Sequence, residues 1–237
     1  MPAPEAPDGR AERERVRRVY RDYIPTVGRW GAANRGNVAM DRERDAAVAA
    51  RLRPLQPLGE RRVLDLGCGM GAHLGALIAR GSHPSRTVGV DLLPERLAVA
   101  CRQQPGTPLV CGDAAHLGLR DGAFDLVLAF TLFSSILDGA TRTAIAREIA
   151  RVLRPGGLVL WYDLRFDSPA NPNVRGLPLR EVRELFPGFR PSLTTLTLLP
   201  PLARRLGPLT RPLYPVLARL PFLRSHLFGV LQAPWAP

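Results

Sequence analysis

The stretch Val63-Leu64-Asp65-Leu66-Gly67-Cys68-Gly69-Met70-Gly71 decides the fold. A short apolar strand runs into a turn with glycine at three alternate positions, and a helix-forming segment, Ala72 to Arg80, follows. Glycine lets a backbone approach a ligand closely, and a helix N-terminus offers free N–H donors. Twenty residues after Gly71, a second apolar strand, Thr87-Val88-Gly89-Val90-Asp91, ends in an acid. Glycines at one end and a carboxylate placed for ribose hydroxyls at the other describe a nucleoside site.

Outward from this stretch, strand and helix alternate. Strands are predicted at Arg62–Cys68, Thr87–Asp91, Leu109–Asp113, Phe124–Phe130 and Leu158–Leu164. Helices are predicted at Ala72–Arg80, Pro94–Gln103, weakly near Ala114–Leu117, and at Thr141–Leu153, with Thr141 as a cap and Pro155-Gly156-Gly157 as the turn into the fifth strand. Such alternation predicts a parallel α/β sheet covered on both faces. Further on come a helix at Leu179–Phe186, a strand at Ser192–Leu199, short proline-broken helices over Pro200–Leu223 and a last strand at Leu227–Ala233. Before the sheet, residues 1–10 read as a disordered tail, Ala11–Tyr23 and Met40–Leu52 as helices, and Thr26–Val38 as a loop. Residues 11–60 thus form a helical cap on a domain spanning 61–237.

The chain has 237 residues, 33 basic against 21 acidic, giving a net charge of +12, and every base is arginine. A positive excess suits nucleic acid or an anionic membrane surface. The arginines are scattered along the whole chain, which favours a composition bias instead. Cys68, Cys101 and Cys111 are odd in number and lack C-x-x-C spacing, so neither a disulfide framework nor a metal site is expected. The N-terminus has no signal-peptide pattern, and no apolar run reaches the eighteen or so residues of a membrane span. A cytoplasmic location is expected.

Gly67-x-Gly69-x-x-Ala72 also fits a dinucleotide fingerprint. Four further features oppose that reading. Asp65 would pair with an ammonium group and repel a pyrophosphate. Gly112-Asp113-Ala114 places an acid to accept from an exocyclic amine. Phe124-Asp125-Leu126-Val127-Leu128-Ala129-Phe130 and Leu153-Arg154-Pro155-Gly156-Gly157 complete the set. Together these resemble class I S-adenosylmethionine-dependent methyltransferases over Arg61 to Leu164. The resemblance implies a doubly wound, Rossmann-like sheet of seven mostly parallel strands, the last antiparallel. It implies S-adenosyl-L-methionine as cofactor. Gly67, Cys68, Gly69 and Gly71 would lie against its methionine and ribose parts, with Asp65 near the amino-acid end. Asp91 would hold the ribose hydroxyls with Leu92 against adenine, Asp113 and Ala114 would meet the adenine amine, and Phe130 and Thr131 would flank the methionine. Cys68 reads as packing rather than as a nucleophile.

Methyl transfer needs an acceptor presented in line with the sulfonium methyl, and a hydroxyl acceptor benefits from a general base. The base should sit at the carboxyl ends of the strands. Asp163 is the first candidate, its alternative role being a structural acid paired with a nearby arginine. His226 is the second, its alternative being a surface histidine. His73, His83 and His116 read as solvated. Substrate contacts are expected from Tyr23, Arg29, Trp30, Asn37, Phe133, Arg165, Asn173 and Arg175. The segment Pro200–Leu223, extending to about residue 226, reads as a lid over the substrate mouth, with packing, an oligomer interface or transient membrane contact as alternatives. Trp161-Tyr162-Asp163 with Asn171–Gly176, and Gly28-Arg29-Trp30 with Asn34–Asn37 and Met40, resemble small-molecule methyltransferases from natural-product and cell-surface sugar clusters. A small, hydroxyl-bearing acceptor and a monomer or homodimer are therefore expected. The rivals are an RNA or other macromolecule methyltransferase, a non-catalytic cofactor-binding protein and a dehydrogenase. Ala129-Phe130-Thr131-Leu132-Phe133 lacks the Asn/Asp-Pro-Pro-aromatic pattern of base methylation, which disfavours nucleic acid.

Overall fold

The computed structural model describes residues 9–21, 33–169 and 171–235. Its strands are β1 (Val63–Leu66), β2 (Thr87–Asp91), β3 (Leu109–Cys111), β4 (Phe124–Phe130), β5 (Leu153–Leu164), β6 (Arg190–Leu198) and β7 (Arg224–Gln232). They form one sheet in the order β3-β2-β1-β4-β5-β7-β6. The strands β1 to β5 pair in parallel, and β7 runs antiparallel to both β5 and β6. The expected seven-stranded, mostly parallel sheet is what forms. Strand β1 is buried at all four positions and β4 at six of its seven, as sheets covered on both faces require.

The helices are α1 (Arg10–Arg21), α2 (Arg35–Leu52), α3 (Ala72–Ile78), α4 (Pro94–Gln103), α5 (Gly139–Val152), α6 (Leu179–Leu185), α7 (Pro200–Arg205) and α8 (Thr210–Leu217). One face of the sheet packs Leu126, Leu128, Leu160 and Phe228 against Val48 and Leu52 of α2 and Leu77 of α3. The other packs Val127, Val159 and Trp161 against Ile145 and Ile149 of α5 and Val182 of α6. Each such aliphatic side chain contributes about 1.5–3 kcal/mol on full burial.

Four local expectations are corrected. Helix α2 begins at Arg35, inside the stretch read as loop, because Asn34 caps it by accepting from the Gly36 and Asn37 N–H groups at 2.9 and 3.3 Å. Residues Ala114–Leu117 form no helix: Asp113 Oδ1 accepts from the Ala115 N–H at 2.9 Å and closes a tight turn instead. The cap of α5 is Asp138, which accepts from the Thr141 N–H at 2.6 Å, so Thr141 is capped rather than capping. Strand β5 starts at Leu153, and the pairing with β4 shifts register between Phe124 and Leu126, so Arg154–Gly157 bulge within the strand rather than precede it.

The segment between β6 and β7 folds as the short helices α7 and α8 joined by tight turns, as its prolines require. It packs on α2 through Met40, Leu198, Ala203, Tyr214 and Ala218. Gly36 permits this contact, since a Cβ there would sit 2.2 Å from the Ala203 carbonyl oxygen. The Tyr214 hydroxyl donates to Glu43 at 2.7 Å, and Arg204 Nε donates to Asn37 Oδ1 at 3.0 Å.

Candidate active site

The site is built at the carboxyl ends of β1, β2, β3 and β4. Gly67, Gly69 and Gly71 all have positive φ, at 79°, 54° and 85°, so the chain folds back under the cleft in a conformation side chains resist. The Gly67 and Cys68 N–H groups donate to the Val90 carbonyl at 2.8 and 3.0 Å, tying the turn to β2. Cys68 is 4% exposed and its sulfur packs against Gly89, as expected of a packing residue; burial pushes its thiol up. Asp91 accepts from the Gly69 N–H at 2.8 Å through one oxygen and from the Leu93 N–H at 2.9 Å through the other. Each carboxylate oxygen keeps a second lone pair for a hydroxyl donor.

Asp65 is 1% exposed and its Oδ2 has no hydrogen-bond partner. Burial, with the charge of Asp91 second, pushes its carboxyl up to about 7. An orphaned buried carboxylate oxygen is costly, and a cationic group brought to it would remove the cost. This set of acceptors therefore fits the ammonium, ribose and adenine of S-adenosylmethionine, and a dinucleotide pyrophosphate would meet acids instead.

Where adenine was expected, at the ends of β2 and β3, a cavity of about 510 Å³ is lined by Leu92, Gly112, Asp113 and His116 together with Arg13 and Arg17 of α1. Asp113 Oδ2 accepts from Arg13 at 3.0 Å. Helix α1 spans this edge: Arg15 donates to the Ser135 carbonyl at 2.6 Å, Tyr20 bonds the Ser135 hydroxyl at 2.6 Å, and Glu12 accepts from the Leu137 N–H at 2.6 Å. Neither Arg13 nor Arg17 was expected here; their i,i+4 spacing is the only trace, and it does not say what they face. His116 is exposed at the rim.

After β4, Thr131 adopts a φ of 49° and donates its N–H to the Tyr162 carbonyl at 2.7 Å. Beside it an aromatic row crosses the α2 face: His73 on Phe130 at 4.8 Å, Phe130 on Tyr162 at 5.7 Å, and Tyr162 stacked on His226 at 4.4 Å. The Arg44 guanidinium lies 5.9 Å from the Tyr162 ring. Desolvation, with Arg44 second, lowers His73 to about 4 and His226 to about 3. His226 is thus buried rather than a surface histidine, and His73 is half-buried rather than solvated. The Tyr162 hydroxyl bonds Thr197 at 2.9 Å.

The two expected bases stand on opposite faces of the sheet. In the β5–β7 ladder Asp163 faces Leu227 and its neighbour Leu164 faces His226, so the pleat sends them apart. Asp163 is 0% exposed; its oxygens accept from the Ser134 N–H at 3.1 Å and the Leu164 N–H at 2.8 Å, and burial pushes it up to about 6. It fastens the turn after β4. Phe133 is also fully buried, 4.9 Å from Trp161, and belongs to the core rather than to an acceptor surface. Asn37 is buried against Arg204 between α2 and α7. Arg175 pairs with Glu181 at 3.1 Å, Asn173 closes a turn with Asn171, and Arg165 lies over Phe166, all beyond β5. Tyr23, Arg29 and Trp30 lie outside the described residues. Fully buried Arg142, bonded to Ile136 O, Glu181 and Arg175 O, organises this region, and local sequence gave no sign of it.

Residues 64–161 match the family described as "Methyltransferase domain". With the strand order and the glycine loop, this stretch is similar to class I S-adenosylmethionine-dependent methyltransferase domains. Among relatives, a phthiotriol/phenolphthiotriol dimycocerosates methyltransferase of Mycobacterium ulcerans is 33% identical over 141 residues, covering 54% of this chain and 47% of the relative. The chain spans about half the length of the curated relatives it matches. The structure of a Burkholderia thailandensis 1,6-didemethyltoxoflavin-N1-methyltransferase with bound S-adenosylhomocysteine aligns at a TM-score of 0.63 and 19% identity, over 99% of this chain and 93% of that one. The [4+2]-cyclase SpnF aligns at 0.60 and 19%, over 81% of each. At that identity the likeness is one of fold.

Proposed function

We propose that the protein transfers the methyl group of S-adenosylmethionine to a hydroxyl of an apolar small molecule, a natural product or a lipid-linked acceptor. The observation that carries this reading is the unpartnered, buried Asp65 oxygen beneath three left-handed glycines. Asp65 would hold the ammonium group, Asp91 the ribose hydroxyls, and Leu92, Asp113 and Ala114 the adenine, with Phe130 and Thr131 beside the methionine chain. The bound cofactor supplies an electrophilic methyl on a sulfonium. The chain's own part is orientation and exclusion of water, which can lower a barrier by about 7–11 kcal/mol. Asp163, sealed and doubly bonded, acts as a positioning residue that fixes the turn carrying Thr131. Neutral His226, buried and stacked on Tyr162, belongs to the packed aromatic row. Helix α1 and the α7–α8 segment act as covers. The names of the mycobacterial relatives, which specify a triol as substrate, support a hydroxyl acceptor.

The test is twofold. Calorimetry should show S-adenosylhomocysteine binding that Asp65→Asn weakens. Methyl-labelled S-adenosylmethionine incubated with fractionated cell extract should put label into solvent-extractable small molecules. Label in RNA or protein alone would overturn the acceptor class. Binding without transfer to any fraction would leave a binding protein or another chemistry on this fold.

A further inference from the structure

We propose that the α7–α8 segment docks the protein on an anionic lipid surface. Exposed large apolar side chains concentrate there: Leu209 at 56%, Leu213 at 37%, Val216 at 57%, Leu220 at 39% and Phe222 at 67%. The first four recur at intervals of four, three and four residues, so they form one stripe along α8 and its ends. Tyr214 and Ala218 hold another side of the helix and its C-cap against α2. The helix therefore has an apolar face that the fold uses and a second that it leaves to the surroundings.

Charge identifies the partner. No aspartate or glutamate follows Glu184, while Arg190, Arg204, Arg205, Arg211, Arg219 and Arg224 do, so the last 53 residues supply six of the twelve net positive charges. Arg205, Arg211 and Arg219 are exposed. A stripe of leucine, valine and phenylalanine on a segment that is purely cationic is the pattern of an interfacial helix on anionic lipid. A second copy of this chain would bring the same charge to the contact and be repelled. Among the described residues no helix is long and apolar enough to cross a membrane, so the contact is peripheral. The segment follows the carboxyl end of β6, at the edge that carries the glycine loop, so docking would set the cleft beside the lipid.

The proposal does not depend on methyl transfer, because vesicle binding is read without cofactor or acceptor. The full chain should co-sediment with phosphatidylglycerol/phosphatidylcholine vesicles and detach as salt rises, with weak binding to phosphatidylcholine alone. The triple variant Leu209→Ser, Leu213→Ser, Val216→Ser changes only exposed side chains; it should lower the vesicle partition coefficient by about ten-fold or more. Its far-UV circular dichroism and unfolding midpoint serve as the folding control. No binding to phosphatidylglycerol vesicles, or binding that the correctly folded triple variant retains, overturns the proposal. A wild-type dimer that the variant dissolves, without vesicle binding, assigns the stripe to a second copy instead.

Discussion

At the scale of single residues, Asp65 is both the proposed partner of the cofactor's ammonium group and a buried acid that affects stability. Its carboxyl is raised to about 7, so the native state keeps a proton that the unfolded chain has already lost. Stability is therefore lost as pH rises from about 4 to about 7. In denaturant titrations from pH 5 to 8, wild type should lose stability relative to Asp65→Asn by about 1 kcal/mol or more; parallel curves would refute this. A cation bound at Asp65 favours its charged form, so S-adenosylhomocysteine binding should release protons near neutral pH. Calorimetry in buffers of different ionisation enthalpy measures this, and a binding heat independent of buffer would show that the ammonium does not meet Asp65. His226 has the opposite sign: it is lowered to about 3, so its contribution to stability is lost as pH falls below the ordinary histidine range. His226→Phe should gain on wild type between pH 6.5 and 4 in the same titration, and a constant difference would contradict the burial argument.

At the scale of elements, α1 and α2 were legible as helices, but what they hold was not. Helix α1 occupies Asp113 through Arg13, the position expected to take the adenine amine. Arg13→Ala should release this strap and speed both association and dissociation of S-adenosylhomocysteine several-fold, with a smaller change in Kd; stopped-flow rates equal to wild type would mean that α1 does not cover the site. Gly36 is the point where α2 meets the backbone of α7. Gly36→Ala should cost about 1–3 kcal/mol and loosen α7 and α8 first, seen as faster amide exchange over residues 200–217. Uniform exchange across the chain would show that α7 and α8 do not depend on this contact.

At the scale of the whole molecule, two segments far apart in the chain pack on each other beside the sheet. One comes from the first 52 residues and the other from between β6 and β7, and the contact of α2 with α7 and α8 joins them across about 170 positions of chain. This union places Asn37, expected to be a substrate contact, in a seam between α2 and α7. It also leaves the outer stripe of α8 bare.

The sequence by itself determined the sheet, the glycine turn and the three acids Asp65, Asp91 and Asp113, because these depend on local rules. Apolar runs with turn residues specify buried strands, and only glycine tolerates the left-handed turn that brings backbone to a ligand. The tertiary structure alone decided which groups share the site. Asp163 and His226 both stand near strand ends, but the β5–β7 register sends them to opposite faces. Phe133 follows β4 as a site residue would, but Trp161 and Phe186 enclose it. Arg13 reaches Asp113 across a hundred residues. Pairings of that length are set by packing and strand register, which short-range periodicity does not encode.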